Sequence, residues 1–257
     1  MIHLIDIHAH ILFDVDDGPR TEEESLQMLK KAVQEGITEI ISTPHALNPH
    51  FDVNYSTVET KLKYLRKLIE QNDLPLTLHS GHEIRLNDQL VHLLDHKQLH
   101  VLANSNYVLI ELPSCMVPIY TKDVIRALKS SGYTPIIAHP ERNRAIAEQP
   151  KRLEQLIREG AFAQMTAGSL VGHFGKAVQK LSLELVQANY VHVYGSDAHN
   201  LSTRPFLFQE GLAYLEKKKE IDAVDLFLEN NYRIINNQSI IMLEPADIRS
   251  ESWWRFF

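Results

Sequence analysis

The chain has one cysteine, Cys115, in 257 residues, so neither an internal disulfide nor a thiolate cage for zinc can form, as expected of a reducing compartment. Long hydrophobic runs are missing too. No stretch approaches the roughly 18–20 consecutive apolar residues that span a bilayer, which excludes an integral membrane segment. The N-terminus, Met1-Ile2-His3-Leu4-Ile5-Asp6-Ile7-His8, lacks the basic segment, apolar stretch and small-residue cleavage site of an export signal. A cytoplasmic protein is expected. Positive charge is in deficit, with 26 Lys and Arg against 33 Asp and Glu for a net −7, which leaves no basic footprint for a nucleic-acid partner. No Gly/Ser/Pro-rich linker, low-complexity tract or internal repeat divides the chain, and its length suits one domain, within the range of α/β barrels. What is abundant is histidine. Fourteen of them stand beside the plentiful carboxylates, pointing to metal or proton chemistry.

Short β-type runs alternate with longer helical patterns. The predicted strands are Leu4–Ile7, Glu39–Ser42, Leu76–His79, Tyr107–Leu112, Pro135–Ala138, Phe162–Met165 and Val191–Tyr194, with a weak eighth run at Tyr232–Ile235. Most are continuous apolar runs, the pattern of parallel strands buried on both faces. Thr21 with Glu24 and Ser56 with Glu59 have capping-box spacing and predict helix starts. Gly36, Gly132 and Gly160 follow helical patterns and precede strands, as glycines do where a helix ends in a left-handed turn.

The histidines and acids fall at the ends of these strands. His8 and His10 follow the first, His45 the second and Glu83 the third; Glu111 ends the fourth, His139 the fifth, and Asp197 with His199 follow the seventh. In a parallel barrel all strand C-termini open on one face, so these groups converge there. His8-Ala9-His10 suits a shared ion because alternate residues of an extended segment point the same way. Glu111 interrupts a buried run and needs a partner, either a cation or, in the plainer reading, a helix end or a salt bridge. Taken alone, Asp14, Asp16 and Asp17 before Gly18 read first as a turn. His3, His50, His79, His92, His96, His100, His173 and His192 read as ordinary surface or satisfied core residues. A donor set of imidazole and carboxylate without thiolate suits Mn²⁺, Fe or Zn²⁺, and its size implies two or three ions. Such clusters activate a water and hold phosphoryl oxygens during displacement at phosphorus. Arg142, Arg144 and Arg204 are close enough in sequence to supply guanidinium forks to a phosphate at the same mouth, although Arg144 by itself reads better as the partner of a surface acid.

These motifs, His8-Ala9-His10 with Asp17-Gly18, Thr43-Pro44-His45, Gly81-His82-Glu83, Ile110-Glu111-Leu112-Pro113, Ala138-His139-Pro140-Glu141-Arg142-Asn143-Arg144 and Gly195-Ser196-Asp197-Ala198-His199-Asn200, together resemble the polymerase-and-histidinol-phosphatase (PHP) superfamily. The match runs in order from about residue 3 to about residue 210. Within it the chain is most similar to the manganese-dependent protein-tyrosine phosphatase branch from capsule and exopolysaccharide operons of Gram-positive bacteria. The resemblance implies a single-domain α/β protein over residues 1–245, a distorted (β/α)7 TIM-like barrel, with a short tail at 246–257. It implies a three-metal Mn²⁺ cluster, with Fe or Zn possible in part. His8, His10, Glu83 and Asp197 would hold one ion; Glu83, Glu111 and His139 a second; Asp17, in preference to Asp16, with His45 and His199 the third. Arg142, Arg204 and His199 are the implied catalytic groups. His82 departs from the glutamine of the family pattern.

The implied activity is hydrolysis of phosphotyrosine on a cognate tyrosine autokinase, at its C-terminal tyrosines, by a metal-activated water, with tyrosinate leaving. Any membrane association would be peripheral, through that kinase. A small-molecule PHP phosphatase such as histidinol phosphatase would read the same way in its barrel. A metal-dependent amidohydrolase also begins with His-x-His, but it usually needs a carboxylated lysine or acid at strand four and an aspartate at strand eight. A non-catalytic metal-binding regulatory module would retain the ligands without turnover. The apolar tail Ser252-Trp253-Trp254-Arg255-Phe256-Phe257 suits either a packed terminus or docking on a partner or membrane surface. Cys115 has Thr121 where a phosphate-loop arginine would stand and no glycine between, so it reads as an ordinary thiol and not a nucleophile.

Overall fold

The structure is a computed structural model that describes residues 4–248; His3 and the aromatic tail segment of residues 252–257 lie outside the described residues. Among the described residues nine strands, β1 (Leu4–Ala9), β2 (Ile37–Ser42), β3 (His45–Ala46), β4 (Thr77–Ser80), β5 (Glu83–Arg85), β6 (Tyr107–Glu111), β7 (Thr134–Ile137), β8 (Phe162–Thr166) and β9 (Val193–Gly195), form a curled parallel sheet with helices outside. They make seven staves. β2 and β3 are one stave bent at Thr43-Pro44, because proline has no N–H for the ladder, and β4 and β5 are one stave bent at Gly81-His82. Pairing resumes past both bends in unchanged register: Ser42 opposes Ser80, and His45 opposes Glu83. Gly81 is required at its bend, since a Cβ there would sit 2.8 Å from the Ile41 side chain. The first and last staves meet through Asp197 N–H to His8 O at 2.7 Å and His10 N–H to Ala198 O at 2.8 Å.

The barrel interior below the mouth is filled by Ile5, Ile7, Ile41, Leu109, Ile136 and Val193. On β6 the two-residue period continues from Tyr107 and Leu109 to Glu111, so the carboxylate ends an inward-facing stripe. β1 needs another device. Ile5 and Ile7 face inward, yet so do His8 and His10, one step out of phase. The register irregularity between Asp6 and Ala9 supplies that step, as one extra residue re-aims every later side chain.

Thr21 caps the helix Glu22–Gln34 by accepting from Glu24 N–H at 3.2 Å, while the Glu24 carboxylate accepts from Arg20 N–H one residue outside the cap. The next helix, Tyr55–Gln71, starts before the predicted Ser56 because Asn54 takes the cap, accepting from Thr57 N–H at 2.9 Å. Gly36, Gly132 and Gly160 all have positive φ. Tyr232–Ile235 is the last turn of the helix Ile221–Ile235 and not a strand. Its β-prone residues are outweighed by the helical burial spacing Val224, Phe227, Asn231, Ile234. The helix is tied to the barrel by Asn231, whose Nδ2 donates to Ile5 O and Tyr194 O. At the C-terminal end the chain is still attached, with Ala246 N–H donating to Ala188 O at 2.9 Å and Ile248 packed on the core. Among the described residues no helix is long and apolar enough to cross a membrane.

Candidate metal centre

The barrel mouth gathers His8, His10, Asp17, His45, Glu83, Glu111, His139, Asp197 and His199 around Glu83. The Glu83 carboxylate lies 2.6 Å from His139 Nε2, 3.1 Å from His45 Nδ1, 3.3 Å from His10 Nε2 and 3.5 Å from His8 Nε2. Three sets of donor atoms are compact enough to hold a cation each: His8, His10, Glu83 and Asp197; His10, Asp17, His45 and His199; and His45, Glu83 and Glu111. The first is the set expected from sequence, and the second adds His10. The third differs, with His45 beside Glu83 and Glu111 where His139 was expected; His139 is instead hydrogen-bonded to Glu83.

The arginines bracket the same centre. Arg142 Nη2 and Arg204 Nη2 reach one oxygen of Asp197, Oδ2, at 2.6 and 2.7 Å, and Arg204 Nη1 lies 3.4 Å from Asp17. Asp197 Oδ1 points instead at His8 Nε2, 3.3 Å away. The Arg142 guanidinium also sits over the Phe174 ring at 4.9 Å. Arg144 is not part of the site; it pairs with Glu148 on the surface. Two non-glycine residues here, His139 (φ 31°) and Asp197 (φ 53°), hold left-handed backbone. Such positions cost roughly 1–3 kcal/mol each and persist where the surroundings over-determine them.

Behind the donor atoms lies a layer of hydrogen bonds that sequence reading missed. Gln164, fully buried on β8, accepts from His8 Nδ1 at 3.0 Å and from His139 N–H at 3.3 Å. That bond makes Nδ1 the protonated nitrogen of His8 and leaves Nε2 to face the carboxylates. Asp16 does the same for His10, its Oδ2 accepting from Nδ1 at 2.8 Å and from His45 N–H at 3.1 Å. Asp17 aims its Oδ1 at His45 Nε2 (3.4 Å) and His199 Nε2 (3.2 Å). The two adjacent acids therefore have separate tasks. Asp6, buried under the cluster, accepts from Ser196 N–H and Oγ and so fixes the turn that carries Asp197; burial pushes its carboxyl up to about 6. The signal that would have found Gln164 is a polar residue inside an otherwise apolar strand.

Burial pushes Glu111 up, with the Glu83 charge adding to the rise, but Glu83 and Asp197 stay strongly acidic. Burial raises Glu83, but His8, His45 and His139 outweigh it and hold it well below the usual range. Asp197 is likewise held down against burial by Arg142, Arg204 and His8. Burial lowers His10 and His45, but Asp16 brings the first up to about 9, and Glu83 with Asp17 brings the second up to about 11. Burial, with Arg142 for His139 and His10 for His199, brings those two down to about 4. Asp197 Oδ1, His45 Nδ1 and His199 Nε2 are buried with no hydrogen-bond partner among the described residues, and all three belong to the donor sets above. Orphaned donor atoms of this kind fit divalent cations.

A cavity of about 370 Å³ opens over the centre, lined by Asp17, His45, Glu83, Glu111, His139, Arg142 and Arg204 together with Asn48, Phe51, Leu112, Ser114, Ala138 and Asn143. His50, read from sequence as ordinary, also lines it. Of the other histidines set aside, His79 pairs with Glu39 at 2.7 Å, His100 stacks on Tyr55, and His173 bonds Thr203 O.

Residues 4–236 match the sequence model of a family described as capsular polysaccharide synthesis, CpsB/CapC. The chain is 40% identical over 254 residues to the tyrosine-protein phosphatase YwqE of Bacillus subtilis, covering 99% of this chain and all of that protein. It is 38% identical over 252 residues to the putative tyrosine-protein phosphatase CapC of Staphylococcus aureus, covering 98% and 99%. A solved structure from work on YwqE of Bacillus subtilis and CpsB of Streptococcus pneumoniae, described as unique metal-dependent tyrosine phosphatases, superposes with a TM-score of 0.93 at 40% identity, covering 96% of this chain and all of that one. An organophosphorus hydrolase of Deinococcus radiodurans, 12% identical with a TM-score of 0.56 over 91% of this chain and 92% of that one, shares the fold.

Proposed function

The chain belongs to the capsular polysaccharide synthesis family CpsB/CapC, and from that membership and the geometry of the centre we propose that it is a metal-dependent phosphotyrosine-protein phosphatase. The observation that carries this reading is Asp197. One of its oxygens gathers two guanidinium groups while the other, without a hydrogen bond among the described residues, lies within 3.6 Å of the His8, His10 and His199 imidazoles. Phosphate-binding forks and cation-holding donors therefore share one side chain.

His8, His10, Asp17, His45, Glu83, Glu111, His139, Asp197 and His199 are the proposed ligands, and Mn²⁺ the proposed ion. Bound divalent cations would supply an acidified water and charge neutralisation at the phosphoryl oxygens. The rest falls to the chain itself. Arg142 and Arg204 orient the phosphoryl group and stabilise the charge that grows on it, their forks matching two oxygens each. His199 N–H and Asn200 N–H both donate to Arg204 O, so the loop that presents Arg204 also fixes His199. His199, fully buried and outside the cavity lining, is proposed to act on the reaction as a ligand of the centre. Tyrosinate needs little help, with a reference pKa of about 10. The substrate is proposed to be a tyrosine autokinase phosphorylated near its C-terminus, met in the cytoplasm.

The decisive experiment strips the protein with a chelator, adds back Mn²⁺ or Mg²⁺, and compares a phosphotyrosyl peptide with histidinol phosphate. Expected is loss of turnover on stripping and recovery with Mn²⁺ above Mg²⁺, whose octahedral oxygen preference suits imidazoles poorly, on the peptide. Full activity in a verified metal-free sample, or turnover confined to histidinol phosphate, refutes the reading.

A further inference from the structure

The cavity wall carries an aromatic ring that the chemistry described so far does not use. Phe51 stands on a compact turn after β3. Leu47 takes left-handed backbone at φ 56°, its N–H donates to Asp52 Oδ1 at 2.8 Å, and Asn48 N–H donates to Phe51 O at 3.1 Å. Val53 N–H returns to His45 O at 2.9 Å, closing the turn onto the strand that bears a proposed ligand. Asn48 Nδ2 reaches across to Glu111 Oε2 at 3.2 Å, so the turn is fastened to the centre at two points. The Phe51 ring lies nearly parallel to the His45 imidazole, 10° apart with centroids at 6.0 Å, and remains partly exposed to the cavity. That is an offset-stacked arrangement with ring surface left for a third partner.

We propose that Phe51 is the platform for the aryl ring of the substrate and sets a preference for aryl over alkyl phosphate monoesters, an inference that rests on the phosphatase reading above. Arg142, Arg204, His45 and Phe51 line the same cavity of about 370 Å³, so a phosphoryl group held by the two arginines shares that space with the Phe51 ring. An aromatic substituent buries ring surface there. The single methylene of a phosphoserine has no comparable surface to offer. Aromatic pairs of this kind are worth roughly three- to tenfold in affinity beyond the burial of area.

The test uses the metal-loaded full chain with Phe51→Ala and Phe51→Tyr. kcat/KM is measured for phenyl phosphate and a phosphotyrosyl peptide against ethyl phosphate and a phosphoseryl peptide, and calorimetry compares phenylphosphonate with inorganic phosphate. In Phe51→Ala the aryl-to-alkyl ratio of kcat/KM should fall about tenfold, with phenylphosphonate losing affinity relative to phosphate; Phe51→Tyr should restore both. A parallel fall for aryl and alkyl esters, or an unchanged ratio, overturns the platform and leaves Phe51 as a support for His45. Wild-type protein that hydrolyses neither ester would overturn the phosphatase reading, and the calorimetric comparison would still decide the role of Phe51.

Discussion

Replacing Gln164 with leucine tests whether the centre depends on the layer behind it. Gln164 does not line the cavity over the centre, yet its Oε1 accepts from His8 Nδ1 at 3.0 Å and His139 N–H at 3.3 Å, and its Nε2 donates to Met165 O at 2.7 Å. Leucine fills a similar volume but leaves those groups unpaired in a fully buried site. Each buried orphan costs about 1–3 kcal/mol, and the bonds are not independent, so a loss of about 2–4 kcal/mol in denaturant unfolding of the metal-free protein is expected. The larger consequence is for His8. Without an acceptor at Nδ1 neither its tautomer nor its ring angle is fixed, and losing such a partner typically costs 10–100-fold in metal affinity. Chelator competition with Mn²⁺ should show that loss, while turnover at saturating Mn²⁺ falls less. A folded Gln164→Leu protein that binds Mn²⁺ within about threefold of wild type would show that His8 is held by its backbone alone.

Asp17→Asn should lower the number of ions retained after gel filtration, whereas Asp16→Asn should keep that number and weaken affinity, because only Asp17 aims at two ligand nitrogens; identical elemental analyses would contradict the division of labour. Arg142→Ala should leave metal content intact and reduce turnover by about 10²-fold, as for loss of one charge-stabilising donor, while His139→Ala should lose metal; equal metal loss in both would reverse these roles. Cys115 is exposed and outside the cavity lining, so Cys115→Ser should keep most phosphotyrosine hydrolysis; a drop of several orders of magnitude with metal intact would favour a phosphocysteine route. His192 is buried, its Nδ1 accepts from Ala163 N–H, and burial brings it down to about 4. The unfolded chain, at about 6.5, then binds the extra proton, so this contribution is complete above pH 6.5 and is lost as pH falls toward 4, at up to about 1.4 kcal/mol per pH unit. His192→Gln should flatten that part of the apo-protein unfolding profile, and parallel wild-type and variant profiles would dispose of the assignment.

The staves and the residue types at their mouths are legible in the order of amino acids alone. Continuous apolar runs are the mark of strands buried on both faces, and a polar residue at the end of such a run stands out because burying it alone is costly. That logic places His8, Glu83, Glu111, His139 and Asp197 on one rim before any coordinates. Tertiary structure decided what depends on contacts between distant segments. The one-residue shift in β1 that turns His8 and His10 inward is a property of its pairing with β2, and local pattern carries no trace of it. The bends at Thr43-Pro44 and Gly81-His82 conceal β3 and β5 from a periodicity reading because each piece is too short to show a period. Tyr232–Ile235 reads as a strand by local preference and is a helix because its burial spacing matches a surface made by β1 and β9. Asp16 and Asp17 are neighbours with the same chemistry, and only the positions of His10, His45 and His199, brought there from three other segments, give one an orienting task and the other a place facing the centre.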